Sequence, residues 1–265
     1  MLKKTIVFTI FLLGIFTAIP AFSATIGVME LIYGEVKHIQ NGSTTYFSLP
    51  VKDVLVQEGD RFLTGGNTVV LLRLRQNAEQ IRLYGNSNFQ IKRQDTKGTN
   101  VFLNFGKAFF KAFLAQHRTH FNVITNTVAI GVKGTQFVVG VTPETTYLLT
   151  TEGTVSVTAN QLPALTTLVT AGLASKVTDG TGPTQPAAVS QEIQGEILTT
   201  DDLAGFEKIE FGPVLIGSAS PASPAGARQS GRLAAIEATE EAAGSAREAA
   251  AQLRDSRGNL LITLP

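Results

Sequence analysis

The 265-residue sequence contains no cysteine, no tryptophan and only three histidines. Without cysteine the chain has no thiol nucleophile, no thiolate metal site and no disulfide framework. Lys and Arg number 22 against 21 Asp and Glu, so the net charge of +1 provides no basic field for nucleic acid. The chain does have 43% hydrophobic residues, 25 glycines and 16 phenylalanines. This composition is typical of a folded protein with many turns around a β-type core.

The N-terminus has the pattern of a signal peptide. Lys3 and Lys4 precede an apolar stretch from 6 to 19, and Pro20 ends it. Roughly 14 apolar residues are too few for a membrane-spanning helix, which needs about 20. Small residues at 21 and 23 favour cleavage after Ser23, and cleavage after Ala24 is the alternative. We therefore expect residues 1–23 to be removed, which lowers the net charge from +1 to −1, and the mature protein to be periplasmic or secreted.

Residues 24–177 have the pattern of an all-β domain. Short runs of β-branched and aromatic residues alternate with Gly, Asn, Asp or Pro about every ten residues. We expect around a dozen short strands wound as a curled antiparallel sheet or a β-solenoid-like roll, with a closed sandwich as the alternative. Asn41-Gly42 predicts a tight hairpin, and residues 65–67 predict another. A bend is expected at Gly106, where the apolar alternation breaks.

The composition changes after residue 177. Residues 178–216 are predicted to be a linker and a short helical segment that docks back on the domain or contacts a partner. Residues 217–265 are predicted to be a Pro/Ser/Ala-rich linker followed by an Ala-rich C-terminal helix. The narrow apolar face of 232–254 would admit another helix, so helix-mediated association is a further expectation.

Three motifs carry a resemblance to a known family. They are Glu-Gly-Asp-Arg-Phe-Leu-Thr-Gly at 58–65, Ala-Ile-Gly-Val-Lys-Gly-Thr-Gln-Phe at 129–137, and Thr-Glu-Gly-Thr-Val at 151–155. In this order they resemble the signature of the FecR domain family, including its closing Glu-Gly hairpin, and the likeness extends over about 26–175. The signature residues are Asp60, Thr64, Gly131, Lys133, Gly134, Thr135, Phe137, Glu152 and Gly153. Lys133 stands where the family mostly has arginine, and its pairing with Asp60 or Glu152 is a hypothesis.

The resemblance implies a non-catalytic binding, sensing or scaffold module of the cell envelope. The best-known relatives lie in the inner membrane and regulate a sigma factor through an N-terminal cytoplasmic segment. Here only residues 1–5 precede the apolar run, so we expect no direct sigma-factor contact. The expected partner is an envelope protein or an envelope polysaccharide, and no cofactor or nucleic acid is expected.

The alternative function is a secreted hydrolase. Its chemistry would use acidic residues at Glu192, Asp201 and Asp202 together with the loop of His117 and His120. The two histidines lack a third ligand nearby in sequence, and the acidic residues match no known catalytic motif. We assign no catalytic, cofactor-binding or metal-ligating residue.

A cluster of basic and aromatic residues could instead form a binding strip. Its members are Lys107, Phe109, Phe110, Lys111, Phe113 and Arg118. Alternating strand faces explain the cluster more simply, with the phenylalanines directed inward and the lysines outward.

Overall fold

The computed structural model describes residues 25–74, 79–94, 98–112, 120–132 and 134–216. The expected signal peptide, Lys133, His117 and the predicted linker and helix after residue 216 lie outside these residues. The predictions that concern these residues therefore stay predictions.

Strands dominate the described residues, and the all-β prediction is confirmed. Seventeen strands are described, more than the dozen expected. They are β1 Thr25–Tyr33, β2 Val36–Gln40, β3 Ser43–Phe47, β4 Val51–Gln57, β5 Arg61–Thr64, β6 Val69–Leu74, β7 Glu79–Leu83, β8 Asn88–Gln94, β9 Gly98–Ala112, β10 His120–Ile124, β11 Val128–Val132, β12 Thr135–Val141, β13 Thr145–Glu152, β14 Thr154–Ala159, β15 Thr166–Thr170, β16 Leu173–Thr178 and β17 Ala187–Ala188.

The strands form two layers that share β9. Sheet 1 has the order β4-β1-β6-β7-β9-β12-β13-β16-β17. Sheet 2 has the order β3-β2-β5-β8-β9-β10-β11-β14-β15. Among the described pairs, β9 and β10 alone are parallel. The chain alternates between the layers as it advances, so the domain is an open two-layer roll.

Gly106 lies where β9 passes from sheet 2 to sheet 1. Its φ is +94°, and a Cβ built on it would lie 2.3 Å from Ser87 Oγ and 2.5 Å from Ser87 Cα. Glycine alone fits both the backbone angle and the close approach. The bend predicted at Gly106 is confirmed.

The core lies between the two sheets and contains a continuous chain of aromatic rings. Centroid distances along it are 4.7 Å from His38 to Phe62, 6.4 Å from Phe62 to Phe89, and 6.5 Å from Phe89 to Phe110. Phe110 then stacks on Phe137 at 5.0 Å. These rings belong to strands of both sheets, so the chain links the layers through the core.

One predicted hairpin is confirmed and one is wrong. β2 and β3 pair across Asn41-Gly42, whose φ angles are 50° and 81°. The turn at 65–67 does not join a hairpin, because β5 lies in sheet 2 and β6 in sheet 1. Residues with a positive φ angle occur both in the hairpin turn, at Asn41 and Gly42, and in the turn that changes sheets, at Asn67. At this turn the hydroxyl of Thr68 donates to the carbonyl of Glu35 and accepts from its N–H, which fixes the crossing.

Two short helices cover the outer face of sheet 1. Helix α1 is Gln191–Thr199, with the Ser190 hydroxyl accepting from the N–H of Ile193 at 3.3 Å, and helix α2 is Ala204–Glu207. Their apolar side chains pack on a second cluster that contains Val138 and Leu149 of sheet 1. No helix among the described residues is long and apolar enough to cross a membrane.

The predicted orientation of the basic-aromatic cluster is wrong in one respect. Phe110 points into the core as expected, but Lys107 and Phe109 both lie under the helices on the outer face of sheet 1. Lys107 is 0% exposed. Strand parity does place the lysine outside the inter-sheet core, but a second layer of chain covers that face.

Candidate functional site

Four of the signature residues, Asp60, Thr64, Gly134 and Gly153, lie in turns or at strand ends where the chain crosses between the two sheets. Asp60 lies between β4 of sheet 1 and β5 of sheet 2, and Thr64 ends β5 before the chain returns to sheet 1. Gly134 lies between β11 and β12, and Gly153 between β13 and β14. Each of these strand pairs is split between the layers. The Glu-Gly turn is therefore a crossing turn and not the hairpin expected from the family.

Asp60 is the centre of a buried hydrogen-bond cluster. Its Oδ2 accepts from the N–H of Gln57 at 2.8 Å and from Nε2 of Gln40 at 3.0 Å, and it lies 2.7 Å from Nε2 of His38. Asp60 and His38 are 1% and 4% exposed, and the imidazole stacks on Phe62. Three polar contacts on one buried oxygen stabilise the crossing turn. This burial leaves no room for a substrate at the pair.

Thr64 fixes the second crossing through its hydroxyl. Its Oγ1 donates to the carbonyl of Tyr84 at 2.6 Å and accepts from the N–H of Ser87 at 2.8 Å, and its own N–H donates to the Ser87 carbonyl. Residues 84–87 form the next crossing turn, between β7 and β8. The hydroxyl therefore ties two crossing turns together.

The crossing turns at Gly134 and Gly153 also touch each other. Gly134 has φ +65° and Gly153 φ +80°, both in the left-handed region. A Cβ on Gly153 would lie 2.7 Å from Cγ2 of Thr135 and 2.9 Å from the carbonyl oxygen of Gly134. Beside these turns, Glu152 of β13 accepts a hydrogen bond from the side chain of Gln136 on the paired strand β12.

Phe137 is fully buried and belongs to the aromatic chain that begins at His38. The core therefore connects the Asp60 crossing with the Phe137 strand through successive rings. Gly131 has open surroundings, with only Asn122 Oδ1 at 3.7 Å from a built Cβ. The hypothesis that Lys133 pairs with Asp60 or Glu152 is untested, because Lys133 lies outside the described residues.

An open depression lies beside the Thr64 crossing, with a volume of about 320 Å³. Its lining residues are Glu35, Lys37, Tyr46, Leu63, Thr64 and Gly65. Tyr46 is 51% exposed, and its hydroxyl donates to the Glu35 carboxylate, which raises the pKa of Tyr46. The depression thus offers an aromatic face, a carboxylate and an ammonium group to solvent.

The residues of the hydrolase alternative belong to different elements of the fold and have different local roles. Glu192 is exposed in the first turn of α1, and Oδ1 of Asp202 accepts from the N–H of Ala204 at 3.3 Å at the start of α2. His120 lies at the start of β10 in sheet 2, and His117 lies outside the described residues. Within the described ranges, no group of three or more His, Asp or Glu side chains could hold a metal ion.

His38 and Lys107 are two of the buried polar residues whose burial sequence reasoning missed. His38 shares strand parity with the buried Val36, and this signal could have placed it in the core facing a partner. Lys107 was assigned to solvent. Burial lowers the pKa of Lys107 to about 8, although the negative charges of Asp202 and Asp201 partly oppose the shift.

Comparison with known proteins finds one family that matches the central region. The family described as FecR protein matches residues 60–156. The resemblance deduced from the three motifs is confirmed. The matched segment runs from Asp60 into β14 and so contains all the signature residues.

Two solved structures are similar to the chain, both described as candidate anti-sigma factors from Parabacteroides distasonis ATCC 8503. The first is 16% identical, with a TM-score of 0.45, over 52% of this chain and 63% of its own. The second is 14% identical, with a TM-score of 0.46, over 66% of this chain and 91% of its own. The chain thus spans less than two thirds of the first structure's length. A search of curated proteins finds no match.

Proposed function

We propose that this FecR-domain protein is a non-enzymatic regulatory or sensing module of the cell envelope that acts by binding another envelope protein. The observation that carries the proposal is the structural role of the family's signature residues. Asp60, Thr64, Gly134 and Gly153 hold the crossing turns of a rigid two-layer scaffold and do not converge on a cleft. A scaffold of this kind presents surfaces to a partner.

An envelope polysaccharide is the second candidate ligand. The depression between Tyr46, Glu35 and Lys37 supports it, because an exposed aromatic face next to charged hydrogen-bonding groups suits a sugar ring. The hydrolase alternative has no comparable support, since Glu192 is exposed in the first turn of α1 and Asp202 caps the start of α2.

The localisation is part of the proposal and has its own test. Mass spectrometry of the protein purified from its native source should find residue 24 or 25 at the N-terminus, because signal peptidase cuts after small residues. An intact Met1 on membrane-bound protein would contradict export by cleavage.

To test for the partner, envelope fractions are passed over a column of immobilised protein comprising residues 24–265, and the retained material is measured. A parallel column carries the variant Tyr46→Ser, and a third carries Leu168→Ser as a control on an exposed residue of β15. Saturable retention that protease treatment of the fraction abolishes supports a protein partner. Retention that survives protease and falls with Tyr46→Ser supports the polysaccharide. No saturable retention on any column would contradict the proposed binding function.

A further inference from the structure

Residues 187–211 form a strap across the outer face of sheet 1. The strap begins with β17, which pairs with β16, continues through α1 and α2, and ends at Phe211. Its buried side chains include Ile197 and Phe206, at 1% and 0% exposed. Phe206 stacks on Tyr147 of β13 with a centroid distance of 5.4 Å. The face beneath the strap is therefore apolar and fits an amphipathic helix.

The close approach of the strap depends on a glycine in sheet 1. A Cβ on Gly140 of β12 would lie 2.6 Å from Cδ2 of Leu203 and 3.0 Å from Cε2 of Phe206. Because Gly140 has no side chain, it leaves space for α2, and the outer face of sheet 1 fits the strap.

A buried lysine of sheet 1, Lys107, also attaches to the strap through hydrogen bonds. Nζ of Lys107 donates to the carbonyls of Ile197 and Asp202, both at 3.0 Å, and to the carbonyl of Thr200. The Tyr84 hydroxyl donates to the carbonyl of Leu198 at 2.8 Å, and the Lys107 ammonium lies 4.5 Å from the Tyr84 ring centroid. The free carbonyls at the end of α1 thus meet a positive charge.

Burial of the Lys107 ammonium has a desolvation cost that opposes docking of the strap. The ammonium loses its water, and its described hydrogen-bond acceptors are neutral oxygens. The strap helices have nine and four residues, and Gly195 lies within the longer one. Helices this short are marginal in water, so their order depends on docking to sheet 1.

We propose that residues 187–211 are a displaceable cover, which opens as a unit while the two-sheet body stays folded and leaves a surface on sheet 1 that accepts an amphipathic helix from a partner. The proposed opening is argued from the geometry of the strap alone. The proposed binding of a partner's helix rests on the proposed function. Strap and partner compete for one surface, so docking of the strap regulates binding.

The charge on Lys107 sets the direction of the pH effect. The groups facing it are Tyr84 from the end of β7 and Asp201 and Asp202 from the link between the helices, with Arg82 and Tyr33 beside Tyr84. A lysine released to water returns to its ordinary pKa of 10.5, so the open form binds more protons than the docked form between pH 8 and 10.5. Raising the pH through this window therefore favours the docked strap.

Hydrogen exchange of the full chain tests the opening. After correction for intrinsic rates, the amides of α1 should show less protection than those of β12. Their opening constant should fall by about tenfold between pH 7 and pH 9. Lys107→Met should remove this dependence, whereas Lys208→Met, at an exposed lysine that bonds Glu196 on the strap, should retain it. Equal protection of α1 and β12, or an unchanged pH dependence in Lys107→Met, would overturn the proposal.

A labelled peptide of residues 187–211 tests the surface. Its binding to full-length Phe206→Ala should be at least tenfold tighter than to the unaltered chain, because that variant weakens its own strap and the peptide supplies the missing ring. A scrambled peptide is the control. If exchange detects the opening but the peptide binds neither protein, the surface does not accept a helix and the competition is refuted. Retention of an envelope partner would then still support the proposed function.

Discussion

Gly134 shows how one residue fixes a crossing turn through its backbone angle alone. Its φ is +65°, and a built Cβ would meet no atom within 4 Å. The cost of a side chain there is conformational strain without a clash. Gly134→Ala should lower the free energy of unfolding by about 1–2 kcal/mol, and valine should cost more because a β-branched residue avoids this region. Urea denaturation measures the loss.

Gly131 is the matched control for Gly134. It lies three residues away in the same motif but has no positive φ, and its surroundings have space for a methyl group. Gly131→Ala should leave stability within about 0.5 kcal/mol of the original. Equal losses at the two glycines would show that the turn's φ angle does not matter.

Phe137 tests the aromatic core at a single side chain. The ring is 0% exposed and stacks on Phe110 at 5.0 Å with an interplanar angle of 15°. Phe137→Ala should cost about 3–5 kcal/mol, since it removes burial and leaves a cavity. Leu168→Ala, at a side chain 62% exposed, should cost little. A loss below about 1 kcal/mol for Phe137→Ala would mean that the core collapses around the missing ring.

The sequence revealed which residues belong to the signature but not what they do. Gly134 and Phe137 were predictable, because glycine between two β runs and an aromatic residue in an apolar strand each have one common role. Strand parity could have placed His38 in the core, but it does not identify its partner Asp60, 22 residues away. The burial of Lys107 was not predictable, because it depends on a partner 90 residues away. Strand parity gives the side of the sheet that a residue faces and not what covers that side.

At the scale of secondary structure, β9 joins the two layers. Its N-terminal half pairs with β8 and β10 in sheet 2, and its C-terminal half pairs with β7 and β12 in sheet 1. The strand can pass between the layers because Gly106 bends it against Ser87.

Gly106→Ala should be among the most destabilising single changes in the domain. The added methyl group would meet the Cα of Ser87 at 2.5 Å, and backbone atoms cannot move aside as a flexible side chain can. We expect a loss of more than about 3 kcal/mol, well above that of Gly134→Ala. Thermal unfolding by circular dichroism compares the two. A loss no greater than that of Gly134→Ala would show that β9 can cross by another path.

Turn chemistry explains why strand pairing was predicted only in part. Asn41-Gly42 joins two strands of one sheet, whereas Asn67 and Asn86, with φ of 46° and 52°, lie in turns that change sheets. The local backbone is similar in all three. The difference arises from tertiary hydrogen bonds such as those of Thr64 with residues 84 and 87, which a single sequence does not display.

At the scale of the whole molecule, the outer face of sheet 1 depends on the strap. Val138, Leu149 and Ala174 are 0% exposed because residues 187–211 lie on them. The predicted linker and helical segment after residue 177 therefore includes a part that shields an apolar surface. That surface would otherwise favour association between molecules.

Two truncations separate the strap from the residues that follow it. Deleting residues 217–265 should leave the melting temperature within a few degrees, because the sequence predicts an Ala-rich segment that would bury little apolar surface. Deleting residues 187–265 should lower it much further and promote self-association, since it exposes the cluster around Val138 and Leu149. Calorimetry and light scattering of the mature chain and both truncated forms make the comparison. If removal of 217–265 alone abolishes the cooperative transition, the C-terminal helix contributes to the core, and the division at residue 216 is wrong.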